Sequence, residues 1–155
     1  MGVSFNDWLH AFWDEVMIPH SLRNARVGIA WMYTESGDPD GRSNTGRWNP
    51  LGSVWKLTAQ TAPSGIASTD FNSVPVQNYA TLHDGLYATK RTLLQDAHGF
   101  PLIVARLRTP SVSSRAVMKA IEQSDWGTEP LIEAVYKDIV NGAYWDRANT
   151  LVSGS

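Results

Sequence analysis

Cysteine is missing from all 155 residues, which rules out a disulfide scaffold and a thiol nucleophile and leaves the redox compartment open. Basic runs are short too. None exceeds the pair Lys90-Arg91, and 13 Lys and Arg against 15 Asp and Glu give a formal charge of −2, so nucleic acid is not an expected partner. No apolar run approaches the roughly 20 residues that a bilayer span needs, and no charged segment followed by an apolar core opens the chain. Export, if it happens, is therefore expected to use another protein. Histidines number only 4, and the ten residues between His10 and His20 are the wrong separation for two ligands on one helix face. With His83 and His98 far away, surface or capping roles are expected rather than a zinc site, and no cofactor is called for.

Against these absences, 43% of the residues are hydrophobic and only 18% charged, enough for one compact domain over residues 1–152, with a tail at 153–155 that frays. Seven Trp and five Tyr are generous for this length and hint at a groove for sugars or peptides. The chain is organised around Arg26 to Gly37, R-V-G-I-A-W-M-Y-T-E-S-G. Val27, Ala30, Trp31 and Thr34 recur at spacings of three and four, as do Ile29, Met32 and Tyr33, which predicts a largely buried helix stopped by Gly37. Glu35 falls in its last turn, where the dipole is negative and Trp31 and Met32 are near. Both effects raise a carboxyl pKa and suit it to general acid catalysis. The plain alternative is a solvated glutamate at a helix end.

The rest of the chain divides by texture. Ser4 and Asp7 have capping spacing ahead of an apolar stripe from Phe5 to Val16, predicting a first helix that ends near Pro19. Ser21 caps the second helix, whose Arg23 and Arg26 at the start and Glu35 at the end oppose its dipole, a conflict that a neighbouring residue could repair. From Asp38 to Ala80, Gly, Pro, Asn, Ser and Thr dominate, and the apolar islands predict short strands, with an irregular hairpin turning at Pro63-Ser64-Gly65. Asn49-Pro50-Leu51 and Asp70-Phe71-Asn72 read as turns. Helices then resume: one capped by Thr81 and closed by Gly99, one from Pro101 to Leu107, and one from Ser113 or Ser114 to Gln123. Another is capped by Thr128 and stopped at Asn141-Gly142, and a last one begins at Tyr144-Trp145. The fold class expected is mostly α (α+β), with about six or seven helices and one extended lobe over 38–80.

Glu-Ser-Gly at a helix end, then Asn-Pro-Leu, Phe-Asn, Val-Gln-Asn-Tyr, Leu-His-Asp-Gly-Leu-Tyr-Ala-Thr and Trp-Gly-Thr follow one another between Trp31 and Thr128. In that order they resemble the lysozyme-like, lytic-transglycosylase-like domains of cell-wall-degrading lysins and virion-associated proteins from bacteriophages of actinobacteria. The resemblance implies a lysozyme-like fold, peptidoglycan glycan strands as substrate, phage virion or lysis proteins as partners, a place in the host cytoplasm before lysis or in a phage virion, and Glu35 as the catalytic acid. Pro75 stands where related sequences favour glycine, and Asp125 precedes Trp126, so the groove is expected to differ near both.

Glycosidic cleavage usually pairs an acid with a second group that stabilises the oxocarbenium-like centre. The candidates for that second carboxylate are Asp38, Asp40 and Asp70. Asp70 ranks first because opposing lobes can set two carboxylates on either side of a sugar ring, whereas Asp38-Pro39-Asp40-Gly41 is ordinary turn chemistry. A lytic transglycosylase would need none, since the substrate's N-acetyl group can assist. Substrate contacts are expected from Gln77, Asn78 and Tyr79 at the lobe junction, from Trp48 and Trp55 in the lobe, and from Asn49 and Trp126. For Gln77, Asn78 and Tyr79 the equal alternative is that Tyr79 is core and the amides cap a turn; for Asn49 a turn-fixing role, and for Trp126 packing beside Gly127, are the favoured alternatives. Three functional classes remain: a muramidase or lytic transglycosylase, an inactive wall-binding or virion structural module with the same fold, and, last, a wall peptidase or amidase. Cysteine and metal spacing both speak against the peptidase or amidase. A cleft at Glu35 separates the enzyme from the module.

Overall fold

A computed structural model describes residues 2–36, 45–95, 98–126 and 131–153, which form a mostly helical structure with one small two-stranded sheet. Helices start where the sequence supplies a cap, each such cap contributing about 1 kcal/mol. Ser4 Oγ accepts from the Asp7 amide at 3.1 Å and opens α1 (Phe5–Glu15), and Ser21 Oγ accepts from the Asn24 amide at 3.1 Å and opens α2 (Leu22–Ser36). Thr81 Oγ1 does the same for α3 (Leu82–Leu93), whereas α4 (Phe100–Arg108) starts at Gly99 with Pro101 in its first turn. Ser113 Oγ caps α5 (Ser114–Gln123). Finally α6 (Leu131–Asp138) is followed by the segment Ile139–Ala143, kinked at Gly142 with φ 117°, and by α7 (Tyr144–Ala148). No helix among the described residues is long and apolar enough to cross a membrane.

Several boundaries differ from the sequence expectation. α1 stops at Glu15 because Met17 turns into the left-handed region at φ 54°. α3 stops at Leu93 rather than Gly99, since the next stripe positions, 96 and 97, are Asp and Ala and offer no large apolar group to bury. Gly99, at φ 75°, opens α4 instead. Asn141-Gly142 does break the helix as expected: Gly142 turns to φ 117°, and α7 starts afresh at Tyr144. Gly37, Gly127 and the Thr128 cap lie outside the described residues. Ser153, assigned to the fraying tail, accepts a 2.7 Å bond from the Trp48 amide.

α2 is the central element and packs against α1, α5, α6 and α7. Residues 27–32 are all buried, the condition of a helix that is apolar all round. Gly28 permits the close α1 crossing: a Cβ there would come within 2.6 Å of Leu9 and 2.7 Å of Trp13. On the other side α4 packs on α3 and α5. The dipole conflict at the start of α2 is repaired by Arg23, whose guanidinium donates to the carbonyls of Arg106, Leu107 and Thr109 at the negative end of α4 and to that of Val112. At the other end of α2 the conflict stands.

The segment from 45 to 80 is the extended lobe. Its strands β1 (Thr69–Asp70) and β2 (Gln77–Asn78) pair antiparallel, with Thr69 opposite Asn78 and Asp70 opposite Gln77. The hairpin turns over residues 71–76, where Asn72 Oδ1 accepts from the amides of Val74 and Val76, and not at Pro63-Ser64-Gly65. That tripeptide instead docks on α3, with the Ser64 amide and hydroxyl both donating to the Asp84 carboxylate. The lobe joins the helices backbone to backbone. Gly85 of α3 lies so close to Trp48 that a Cβ would meet the Trp48 carbonyl oxygen at 2.0 Å, and within the lobe the Tyr79 amide ties its two ends together by donating to the Arg47 carbonyl at 2.9 Å.

Candidate active site

Where the end of α2 meets the lobe, a cleft of about 450 Å³ opens, and Glu35 lines it. The sequence places the carboxyl there simply: the helix buries six residues in succession and then reaches the body's edge with a glutamate. Gly52 faces it from the lobe, where a Cβ would sit 3.8 Å from Oε2. Among the described residues nothing donates a hydrogen bond to the Glu35 carboxyl or pairs with its charge. Burial without compensation pushes its pKa from the ordinary 4.5 up to about 8. The group therefore holds its proton at neutral pH.

The lobe contributes an apolar wall of Val54, Val74 and Val76. Facing it are polar groups, Thr92 and Gln95 at the end of α3, then His98 and Asp125 from the connections before α4 and after α5. Phe100 and Trp126 complete the helical side. Trp126 meets Trp31 edge-on at 5.0 Å and Phe100 at 5.1 Å, and its indole N–H donates to the Leu51 carbonyl at 2.9 Å. Packing and lining are thus one role for Trp126. His98 Nδ1 lies 2.6 Å from Asp125 Oδ2, and the Asp125 amide donates to the His98 carbonyl at 3.1 Å.

No family model, curated protein sequence or solved structure matches the chain. The chemistry has to be read from the cleft itself.

Of the site residues expected from the sequence, the structure brings only Glu35 and Trp126 to the cleft. Asp70 is not among its described lining residues; its exposed carboxylate accepts from Gln77 Nε2 at 2.7 Å and pairs with Lys56 at 3.5 Å, and these partners, Gln77 foremost, hold it below the usual carboxylate range. Asp38 and Asp40 lie outside the described residues. Gln77 is 1% exposed and fully engaged, with Nε2 on Asp70 and the Pro75 carbonyl and Oε1 accepting from Ser68. Asn78 Oδ1 accepts from the Arg47 amide at 2.8 Å. Tyr79 is core: its ring packs with Leu57, Ala62 and Ala88, its hydroxyl donates to the Trp55 carbonyl at 2.8 Å, and burial pushes its pKa up.

Asn49 fixes the turn, as its alternative reading had it. Its Nδ2 donates to the carbonyls of Ser53 and Gln77 and its Oδ1 accepts from the Ser53 amide. Trp48, at φ 56°, packs between the two apolar clusters, and Trp55 lies under the Arg91 guanidinium at 5.3 Å. These residues build the lobe that shapes the cleft. Sequence reasoning missed the valine wall and the His98–Asp125 pair. The valines had a signal, since apolar side chains in a Gly- and Ser-rich lobe have little core to enter. His98 had none, being 27 residues from its partner.

Proposed function

We propose that the chain cleaves the N-acetylmuramic–N-acetylglucosamine backbone of peptidoglycan, as a muramidase or lytic transglycosylase in phage lysis or cell entry, with Glu35 as the general acid. The observation that carries this reading is an uncompensated carboxyl with its pKa raised to about 8, set in a cleft of about 450 Å³. An acid that is protonated at neutral pH can hand its proton to the departing glycosidic oxygen, a contribution of roughly two to four powers of ten in rate. The volume is that of a small-ligand site and suits a sugar unit of a longer strand. One apolar wall and one polar wall match a sugar ring, whose faces are apolar and whose edge carries hydroxyl and acetamido groups. The lysozyme-like order of motifs from Trp31 to Thr128 adds the substrate class. A binding module with the same fold would have no need of an open cleft beside a carboxyl that has no partner among the described residues.

The experiment is muropeptide release from purified actinobacterial peptidoglycan by wild type and Glu35→Gln, with products identified by mass spectrometry. Wild type should release fragments, and Glu35→Gln should fold, bind the wall and release at least a hundredfold fewer, the lower end of the range for general acid catalysis. Reducing ends denote hydrolysis and anhydro ends a transglycosylase. No release by wild type, or equal release by the variant, would transfer the protein to the wall-binding or virion structural class.

A further inference from the structure

A general acid serves one side of the scissile bond; hydrolysis also needs a group that takes a proton from the attacking water. Among the described residues lining the cleft, the ionisable side chains are Glu35, His98 and Asp125. Asp70, the carboxylate expected from the sequence, is committed to Gln77 and Lys56 on the lobe. His98 and Asp125 reach the cleft from separate connections and are clipped together twice, by the 2.6 Å Nδ1–Oδ2 contact and by the Asp125 amide on the His98 carbonyl. The Phe100 ring, its centroid 5.4 Å away and its plane tilted by 31°, packs beside the imidazole. A carboxylate that holds the Nδ1 proton of an imidazole fixes its tautomer and leaves Nε2 with a lone pair to accept a proton. The pair is 41% and 68% exposed, and ion pairs so exposed stabilise a fold little, so stability is a poor account of its geometry.

Resting on the reading of Glu35 as the acid, we propose that His98, positioned by Asp125, is the general base of an inverting hydrolysis. His98 Nε2 takes one proton from water while the water oxygen forms the new bond to the anomeric carbon. The glycosidic C–O bond breaks with its electron pair going to the leaving oxygen, which takes the Glu35 proton. The products are two shorter strands, the consumed reagent is one water, and exchange with solvent returns a proton to Glu35 and removes one from His98. Because water enters opposite the leaving group, the new reducing end has inverted configuration.

The test digests purified peptidoglycan in H₂¹⁸O with wild type, Glu35→Gln, His98→Ala, His98→Gln and Asp125→Asn, reading products by mass spectrometry and proton NMR and folding by circular dichroism. Wild type should yield only ¹⁸O-labelled reducing ends of inverted configuration. His98→Ala should lower kcat by about two to four powers of ten with KM little changed, and azide should restore its turnover by forming a glycosyl azide of inverted configuration. Asp125→Asn should lower kcat alone, through the wrong imidazole tautomer, and Asp125→Glu should recover part of it. Should His98→Ala not fold, His98→Gln, closer in size and polarity, is read in the same assay. Anhydro ends or retained configuration from wild type overturn the proposal while leaving Glu35 as the acid. So does a folded His98 variant with wild-type turnover when Glu35→Gln is dead. An inactive wild type, or an active Glu35→Gln, overturns the acid reading and this proposal with it.

Discussion

The helical body and the extended lobe face each other across the cleft, and different forces hold them. In the body, Trp8, Phe12, Trp31, Ile103 and Ile121 are wholly buried in one cluster, and among the described residues the indole N–H groups of Trp8, Trp13 and Trp31 have no hydrogen-bond partner. In the lobe the apolar cluster is small, and order comes from buried polar side chains. Asn49, Ser53, Gln77, Tyr79 and Thr92 satisfy one another and the backbone, with Ser53 Oγ 2.6 Å from Thr92 Oγ1 on α3. Burial without direction suits a body that needs only to be compact. Hydrogen bonds with direction suit a wall that must stand at a fixed angle.

The comparison is tested most strongly by a pair of truncations. Ile103→Ala should cost about 2–5 kcal/mol, through lost transfer energy and a cavity, and should raise amide exchange across all the helices. Asn49→Ala strands the Ser53 amide and should cost about 1–3 kcal/mol, with faster exchange confined to the lobe, at Ser53 and Gln77. Uniform exchange in both variants would make body and lobe one cooperative unit and erase the distinction.

Gly28→Ala sharpens the account of the body. In an exposed helix that change stabilises by about 1 kcal/mol, but here the methyl meets Leu9 and Trp13, so overpacking of about 1–3 kcal/mol should reverse the sign in urea unfolding.

The boundary between the two regions is probed by pH. The folded-state pKa of Glu35 lies above its unfolded value, so its contribution to stability is fully present below about 4.5 and is lost as pH rises through about 8. The slope in that window is at most about 1.4 kcal/mol per pH unit. Urea melts at pH 5 and pH 8 should show wild type losing more stability than Glu35→Gln, which has no proton to lose. The smallest effect is expected from Asp70→Asn. It removes an exposed lobe contact, so muropeptide release should stay close to wild type, and a loss of orders of magnitude would bring Asp70 back as the second carboxylate.

The same contrast decides what was legible in the sequence. The body could be read, because a 3.6-residue stripe and a cap are local signals: Ser4, Ser21, Thr81 and Ser113 each bond the amide that their spacing indicates. Glu35 was legible for that reason, as the polar residue ending a buried stripe. The lobe was not. Its polar side chains look alike in sequence whether they face a substrate or a carbonyl 28 residues away, as Asn49 does toward Gln77. Gln77, Asn78 and Tyr79 therefore read equally well as ligand contacts or as fasteners, and they are fasteners. The His98–Asp125 pair was invisible because the end of α3 and the connections around α4 and α5 had to be placed before the two could be neighbours.

The joint between Gly85 and the Trp48 carbonyl makes the lobe a lever with its fulcrum in the main chain. No rotamer change can ease that contact, since no side-chain atom takes part on the glycine side. The base of the lobe cannot swing, and motion of the cleft's apolar lip is left to the hairpin over residues 71–76, where Val74 and Val76 sit beyond the two-residue strands. A wedge as small as one methyl at Gly85 would tilt the whole arm, and the displacement would grow along it to its largest value at the lip. An alanine there would thus alter the width of the cleft, although neither Gly85 nor Trp48 is among its described lining residues.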